Sequence, residues 1–296
     1  MSNFRQVNEI DVAQVDNVIS MALAEDLGRG DITSNLLIPP KLQGTATILA
    51  KAKGILAGGI VAKEVFRHAD PALTVEMLIK DGAEIKPGDI IGTVSGNVSR
   101  ILRAERVVLN FLQRLSGIAS QTALYVAQIR GLGVEIADTR KTSPGMRLLE
   151  KYAVRLGGGY NHRFDLSDAI LIKDNHLVAL RALGITLQDA VSKARQNAPP
   201  GVTVEVEVTN ADEVLAAAEV GADVIMLDNM TPDEMNYAVD IIGGRAEVEA
   251  SGGVNLDNVR QAALARVNII SIGALTHSSK SLDISLELEP DSIKMG

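Results

Sequence analysis

TVEVEVTNADEVLAAAEVGADVIMLDNMTPDEMNYAVDIIGGRAEVEASGG, residues 203–253, decides the fold. Three β-branched runs, TVEVEV ending at Val208, DVIMLD ending at Asp228 and AEVEA ending at Ala250, alternate with the helical patterns ADEVLAAAEVG and TPDEMNYAVDIIG. The 22 residues from Asp228 to Ala250 match one strand plus one crossover helix, so the spacing predicts a parallel βα array. Outward from this stretch lie VEIAD ending at Asp138, AILIK ending at Lys173, and NIISIG ending at Gly273, with NLDNVRQAALARV as another helix. Six strands are fewer than the eight of a complete (β/α)₈ barrel, which leaves an incomplete barrel or an open doubly wound sheet.

Upstream the rhythm differs. Val12, Val15, Ile19 and Leu23 recur at helical spacing over 11–26. Between 44 and 95, TATILAKAKGILAGG, LTVEMLIKDGAEI and DIIGTVSG are short β-prone runs punctuated by Gly, Pro and Asp-Gly, which predicts an α+β domain with a small sheet. Ser99 reads as the N-cap of RILRAERVVLNFLQRL, and a break at Ser116-Gly117 precedes a second helix, SQTALYVAQIRGLG. That pair reads as the joint between two domains. In the tail, Leu282, Ile284, Leu286 and Leu288 alternate with polar residues, which predicts an antiparallel strand returning to the first sheet.

The chain has 29 Lys plus Arg against 37 Asp plus Glu, a formal net charge of -8, and so makes a poor generic binder of nucleic acid. With 46% hydrophobic residues it can fill a core. Zero cysteines exclude disulfides, zinc thiolates, iron-sulfur clusters and thiol nucleophiles, and fit a reducing compartment. Arg5, Glu9, Asp11 and Asp16 interrupt the N-terminus, and no apolar run approaches the ~20 residues of a membrane span, so a soluble cytoplasmic protein is expected.

Every barrel strand runs into useful chemistry at its carboxyl end, where α/β architectures collect function: Thr139-Arg140-Lys141, Lys173, Glu207, Asp228, Ser251-Gly252-Gly253 and Gly273. Residues 138–173 hold seven basic and four acidic side chains, a local +3 that leaves -11 for the rest. This concentration fits a small, highly anionic ligand, held by arginine forks. Arg147, Lys151 and Arg155 are spaced as on one solvated helix face, and His162 reads equally as a packed loop histidine. Glu205 and Glu207 share one strand face; Glu207 with Asp228 points to Mg²⁺ or sugar hydroxyls, the plainer reading being an ion pair with Lys173 or Arg163. The sequence offers no His/Cys cluster for a transition metal and no Walker P-loop.

Taken in order, EDLGRGDIT (25–33), AERVVLNFLQRLSGIAS (104–120), DTRKTSPGMR (138–147), KYAVRLGGGYNHRFDLSDAILIKDNH (151–176), VEVEV (204–208), IMLDN (225–229), EASGG (249–253) and SIGALTH (271–277) resemble the quinolinate phosphoribosyltransferase family. The resemblance implies an α/β protein of the type II phosphoribosyltransferase fold. An N-terminal α+β sandwich (1–116, completed by the tail 279–296) would precede an incomplete, seven-stranded C-terminal α/β barrel (117–278). It implies a homodimer, or a higher oligomer of dimers, that joins quinolinate to phosphoribosyl pyrophosphate with decarboxylation, yielding nicotinate mononucleotide, pyrophosphate and CO₂ for NAD biosynthesis.

Carried over, Arg106 would reach the partner's site and, with Arg140, Arg163 and Lys173, hold the quinolinate carboxylates; Thr139, Lys141 and His162 would line the same pocket. Lys141, Lys173, Glu207 and Asp228 would be catalytic, with Glu207 and Asp228 meeting Mg²⁺ through pyrophosphate or water. Ser251, Gly252 and Gly253, with Ser271, Ile272 and Gly273, would form the 5-phosphate loops, His277 nearby. Residues alone leave open a homologue with another anionic acceptor, a barrel lyase forming a Schiff base on Lys173 or Lys141, and a non-catalytic phosphosugar binder.

Overall fold

A computed structural model describes residues 4–296. The chain forms two compact units. One comprises Val7–Ala123, Ser143–Gly158 and Ser278–Gly296; the other comprises residues 4–6, Leu124–Thr142 and Gly159–His277.

The first unit is an α+β sandwich. Its antiparallel sheet runs Ile284–Leu288, Leu42–Ala50, Ile90–Asn97, Thr74–Met77, so the tail strand returns to this sheet as its alternation predicts. Ala46, Ile48 and Ala50 are fully buried at every second position of the Leu42–Ala50 strand. Helix Val12–Leu27, capped by the Asp11 carboxylate on the Ala13 N–H at 3.0 Å, buries Val15, Ile19 and Leu23. Each such side chain contributes roughly 1.5–3 kcal/mol of burial.

The expected joint is not a break. A single helix, Val98–Gln128, runs through Ser116-Gly117. Gly117 is there for close approach: a Cβ would collide with the Lys280 carbonyl and lie 3.1 Å from Ser281 Cα. Gly117→Ala is expected to lower stability by about 1–3 kcal/mol, read as a lower urea midpoint at unchanged m-value. Nor is Ser99 the cap; it lies within the first turn, where the Arg100 N–H donates instead to Asn97 Oδ1 at 3.2 Å.

Helix Arg147–Leu156 also departs from its expected solvated face. Leu149 through Val154 are all buried, Lys151 fully so, and six consecutive buried positions leave this stretch of the helix no solvent face. Glu150, likewise buried, accepts from Arg114 Nη2 at 2.8 Å and from the Ser143 hydroxyl at 2.9 Å.

The second unit is an incomplete α/β barrel. All six expected strands form one parallel sheet in the order Glu135–Ala137, Ile269–Ser271, Glu247–Ser251, Val224–Asp228, Val204–Val208, Ile170–Ile172. The seventh place implied by the resemblance is reduced to a single bridge: Tyr160 pairs parallel with Ala137, its N–H on the Ile136 carbonyl at 2.7 Å. One residue of pairing is too short to register as a strand. The crossover helices begin where side-chain caps dictate, with Asn210 Oδ1 accepting from the Glu213 N–H and Thr231 forming a reciprocal cap with Glu234 ahead of Pro232. Among the described residues no helix is long and apolar enough to cross a membrane.

Candidate active site

Because the six strands are parallel, their carboxyl ends gather at one end of the sheet. A cavity of about 610 Å³ opens there, lined by the expected Thr139, Arg140, Lys141, His162, Arg163, Lys173, Glu207, Asp228, Ser251, Gly252, Gly253 and Ser271. Strand register explains the lining. Glu207 pairs with Met226 and Met226 with Glu249, while Asp228 pairs with Ser251 one row nearer the mouth. Parallel partners share a face, so Glu249 points inward with Glu207, and both Met226 and Glu249 join the lining although neither was expected.

Four expected residues lie outside this lining. Arg106 is exposed on helix Val98–Gln128, which at that point belongs to the sandwich unit. Ile272, Gly273 and His277 follow the Ile269–Ser271 strand without facing the cavity; a Cβ on Gly273 would meet Lys141 Cδ at 2.8 Å and His277 Nε2 at 3.1 Å. Their packing shapes the site through Lys141, whose carbonyl accepts from the Thr276 hydroxyl at 2.9 Å.

Lys173 and Glu207 form an ion pair at 3.5 Å. Burial pushes the Glu207 carboxyl above its usual range; Lys173 opposes this and the Asp228 charge adds to it. Asn229 sits at φ 55 and donates to Asp228 Oδ2 at 3.0 Å. Gly252 is required beside it, since at φ 85 a Cβ would lie 2.8 Å from Asp228 Oδ1 and collide with the Asn229 amide.

The floor is a buried cluster. His162 Nε2 lies 3.2 Å from Glu249 Oε2 and 3.3 Å from Glu205 Oε2, both glutamates being fully buried. Glu205 Oε1, Glu249 Oε1 and the Ser271 hydroxyl have no hydrogen-bond partner, and neither does Arg140 Nε. Burial raises Glu205 to about 7, helped by the Glu249 charge. Burial alone would pull His162 down, but the two carboxylates outweigh it and raise it to about 10. The three groups are close enough to surround a metal ion, a combination invisible to a search for His/Cys clusters. The Arg163 backbone nitrogen lies 2.9 Å from His162 Nδ1, which leaves Nε2 facing the two carboxylates. The raised values of His162 and Glu205 keep protons in this cluster.

Asp138, fully buried at the end of the first barrel strand, accepts from Asn161 Nδ2 at 2.6 Å and the His162 N–H at 2.9 Å and so fixes this loop. Burial lowers the Arg163 guanidinium, Arg140 beside it acts the same way, and Glu205, Asp168 and Glu249 compensate. Two arginines crowded together with unfilled hydrogen-bonding capacity form a receptor for paired anionic oxygens.

Residues 31–116 match the N-terminal domain of quinolinate phosphoribosyl transferase and residues 118–287 its C-terminal domain. The chain belongs to the quinolinate phosphoribosyl transferase family. It is 42% identical over 275 residues to a probable carboxylating nicotinate-nucleotide pyrophosphorylase of Bacillus subtilis (strain 168), covering 93% of each chain. It is 43% identical over 290 residues to the chloroplastic carboxylating nicotinate-nucleotide pyrophosphorylase of Arabidopsis thaliana, covering 93% of this chain and 82% of that one. The NadC structure from Streptococcus pyogenes superposes with a TM-score of 0.89 at 42% identity, covering 95% of this chain and 98% of that one.

Proposed function

We propose that this family member transfers phosphoribosyl from phosphoribosyl pyrophosphate to quinolinate with decarboxylation, giving nicotinate mononucleotide, pyrophosphate and CO₂ in NAD biosynthesis. The observation that carries this reading is the convergence of Arg140, Lys141, Arg163 and Lys173 on one cavity that also holds Glu207, Asp228 and the Ser251-Gly252-Gly253 turn. Cations for a dicarboxylate, acids for a ribosyl centre and open backbone for a phosphate lie within one enclosure. The acceptor is then the dicarboxylate that family membership indicates, in preference to another anion or to a carbonyl compound captured by Lys173.

In the reaction, Arg140 and Arg163 hold the acceptor carboxylates in pairs and orient the pyridine nitrogen toward C1 of the ribose. The bond from C1 to pyrophosphate breaks, leaving positive charge at C1 that Glu207 and Asp228 stabilise, while Lys141 and Lys173 receive the departing negative charge. The nitrogen attacks C1. Once quaternised, it draws in the electron pair left at the adjacent carbon as CO₂ departs, and that carbon then takes a proton. The adjacent positive charge on the nitrogen holds that in-plane electron pair as an ylide until it is protonated, so neither a thiol nor a nucleophilic triad is needed.

Glu207 and Asp228 also suit Mg²⁺: they are hard oxygen donors, and burial and mutual repulsion hold Glu207 above its usual range in a way that a cation would relieve. They would hold the ion through pyrophosphate or water, and it would neutralise the leaving group. We further infer a homodimer, or dimers assembled further, in which Arg106 completes the partner's acceptor site. Its exposure and its absence from the cavity of its own chain support that role. Arg106→Ala should lower kcat/KM for quinolinate by about 100-fold at unchanged melting temperature; an unaltered rate would remove Arg106 from the site. The absence of cysteine fits a cytoplasmic enzyme.

Supplying Mg²⁺ and phosphoribosyl pyrophosphate with either quinolinate or nicotinate, and following pyrophosphate, tests the acceptor. Turnover is expected with quinolinate. Turnover with nicotinate alone would overturn the assignment.

A further inference from the structure

The N-terminal residues that precede the sandwich pack on the barrel unit. Phe4, Arg5 and Gln6 each meet a different residue of the loop that carries His162 and Arg163. The Phe4 ring stacks on the His162 imidazole, with centroids 4.5 Å apart and planes inclined by 29°. Arg5 Cζ lies 4.8 Å above the Phe164 ring. The Gln6 amide uses both ends on one residue: its Nε2 donates to the Asn161 carbonyl at 3.0 Å and its Oε1 accepts from the Asn161 N–H at 2.9 Å. Phe4 is only 5% exposed and His162 4%.

We propose that Phe4 and Gln6 are positioning residues for the acceptor half of the site, forming a strap that sets how His162 and Arg163 meet the acceptor carboxylates. The inference rests on the quinolinate reading above. The imidazole is held on three sides: Phe4 covers a face, the Arg163 backbone nitrogen lies against Nδ1, and Nε2 meets Glu249 and Glu205. Without the ring of Phe4 one of these supports is gone, and without the Gln6 amide the backbone entering His162 keeps only its anchor on Asp138. Recognition of a rigid dicarboxylate falls off with displacements of about 1 Å. The phosphate and ribose groups, Asp228 and Ser251 to Gly253, come from other strands.

The test measures KM for quinolinate and KM for phosphoribosyl pyrophosphate separately in Phe4→Ala, Gln6→Ala and Phe4→Tyr. The quinolinate KM should rise roughly two- to tenfold in each alanine variant, consistent with the loss of an aromatic pair or a hydrogen bond. The KM for phosphoribosyl pyrophosphate should hold, and Phe4→Tyr should restore quinolinate binding. An unchanged quinolinate KM would overturn the strap, as would a parallel rise in both KM values with a falling melting temperature, the mark of a merely structural segment. Arg140→Ala separates this inference from the reading beneath it. Loss of quinolinate turnover there, with wild-type behaviour in Phe4→Ala, rejects the strap alone. Quinolinate turnover that survives Arg140→Ala rejects the acceptor site and the strap with it.

Discussion

Arg163→Ala is expected to lower kcat/KM for quinolinate by about two to three orders of magnitude, the scale of truncating one partner of a buried charge pair. Arg163 is 5% exposed, lines the cavity, and has Nη1 tied to the Ala169 carbonyl at 3.2 Å, so its fork is already aimed before ligand arrives. Its loss also leaves Glu205 and Glu249 facing the acceptor with less cation between. Arg163→Lys should recover little, because an ammonium replaces a planar fork with a point charge. Steady-state kinetics with each substrate varied in turn would show it; a loss below tenfold would move carboxylate recognition away from this residue.

A second large effect concerns pH. His162, ordinarily near 6.5, is raised to about 10, and Glu205, ordinarily near 4.5, to about 7. Both folded values lie above the unfolded ones, so the stabilisation is complete below the unfolded values and is lost as pH rises through the folded ones. Between about pH 4.5 and 7 for Glu205, and between about 6.5 and 10 for His162, the folded cluster keeps a proton that the unfolded chain has released. Unfolding free energy should therefore fall with rising pH over these windows, by up to about 1.4 kcal/mol per pH unit for one proton. Glu249→Gln removes one of the charges that demand the proton and should flatten the slope. Urea titrations at several pH values decide; equal slopes in the two proteins would contradict a proton-holding floor.

Much of the barrel was legible because parallel strands buried on both faces read as continuous β-branched runs, and their ends are marked by the polar residues that line the cavity. Glu249 was not. In AEVEA the alternation of Glu247 and Glu249 resembles a solvent-facing edge, and only the pairing with Met226 turns Glu249 inward. Lys151 misled for a related reason: basic residues at helical spacing describe a wet face only if the helix has one, and the stretch from Leu149 to Val154 has none. Gly117 looked like a helix break because its partner, the Lys280 carbonyl, lies far along the chain. The strap of Phe4 and Gln6 was beyond reach on the same ground, since Gln6 and Asn161 are 155 residues apart. Helix spacing and strand alternation report neighbours in sequence; these four features are set by neighbours in space.

The fate of one carboxylate distinguishes this reaction most directly. With quinolinate carrying a labelled carboxyl beside the ring nitrogen, together with Mg²⁺ and phosphoribosyl pyrophosphate, labelled CO₂ should appear in step with pyrophosphate, one for one. Pyrophosphate released without labelled CO₂, or no release from quinolinate where nicotinate in its place does release pyrophosphate, would contradict this reaction.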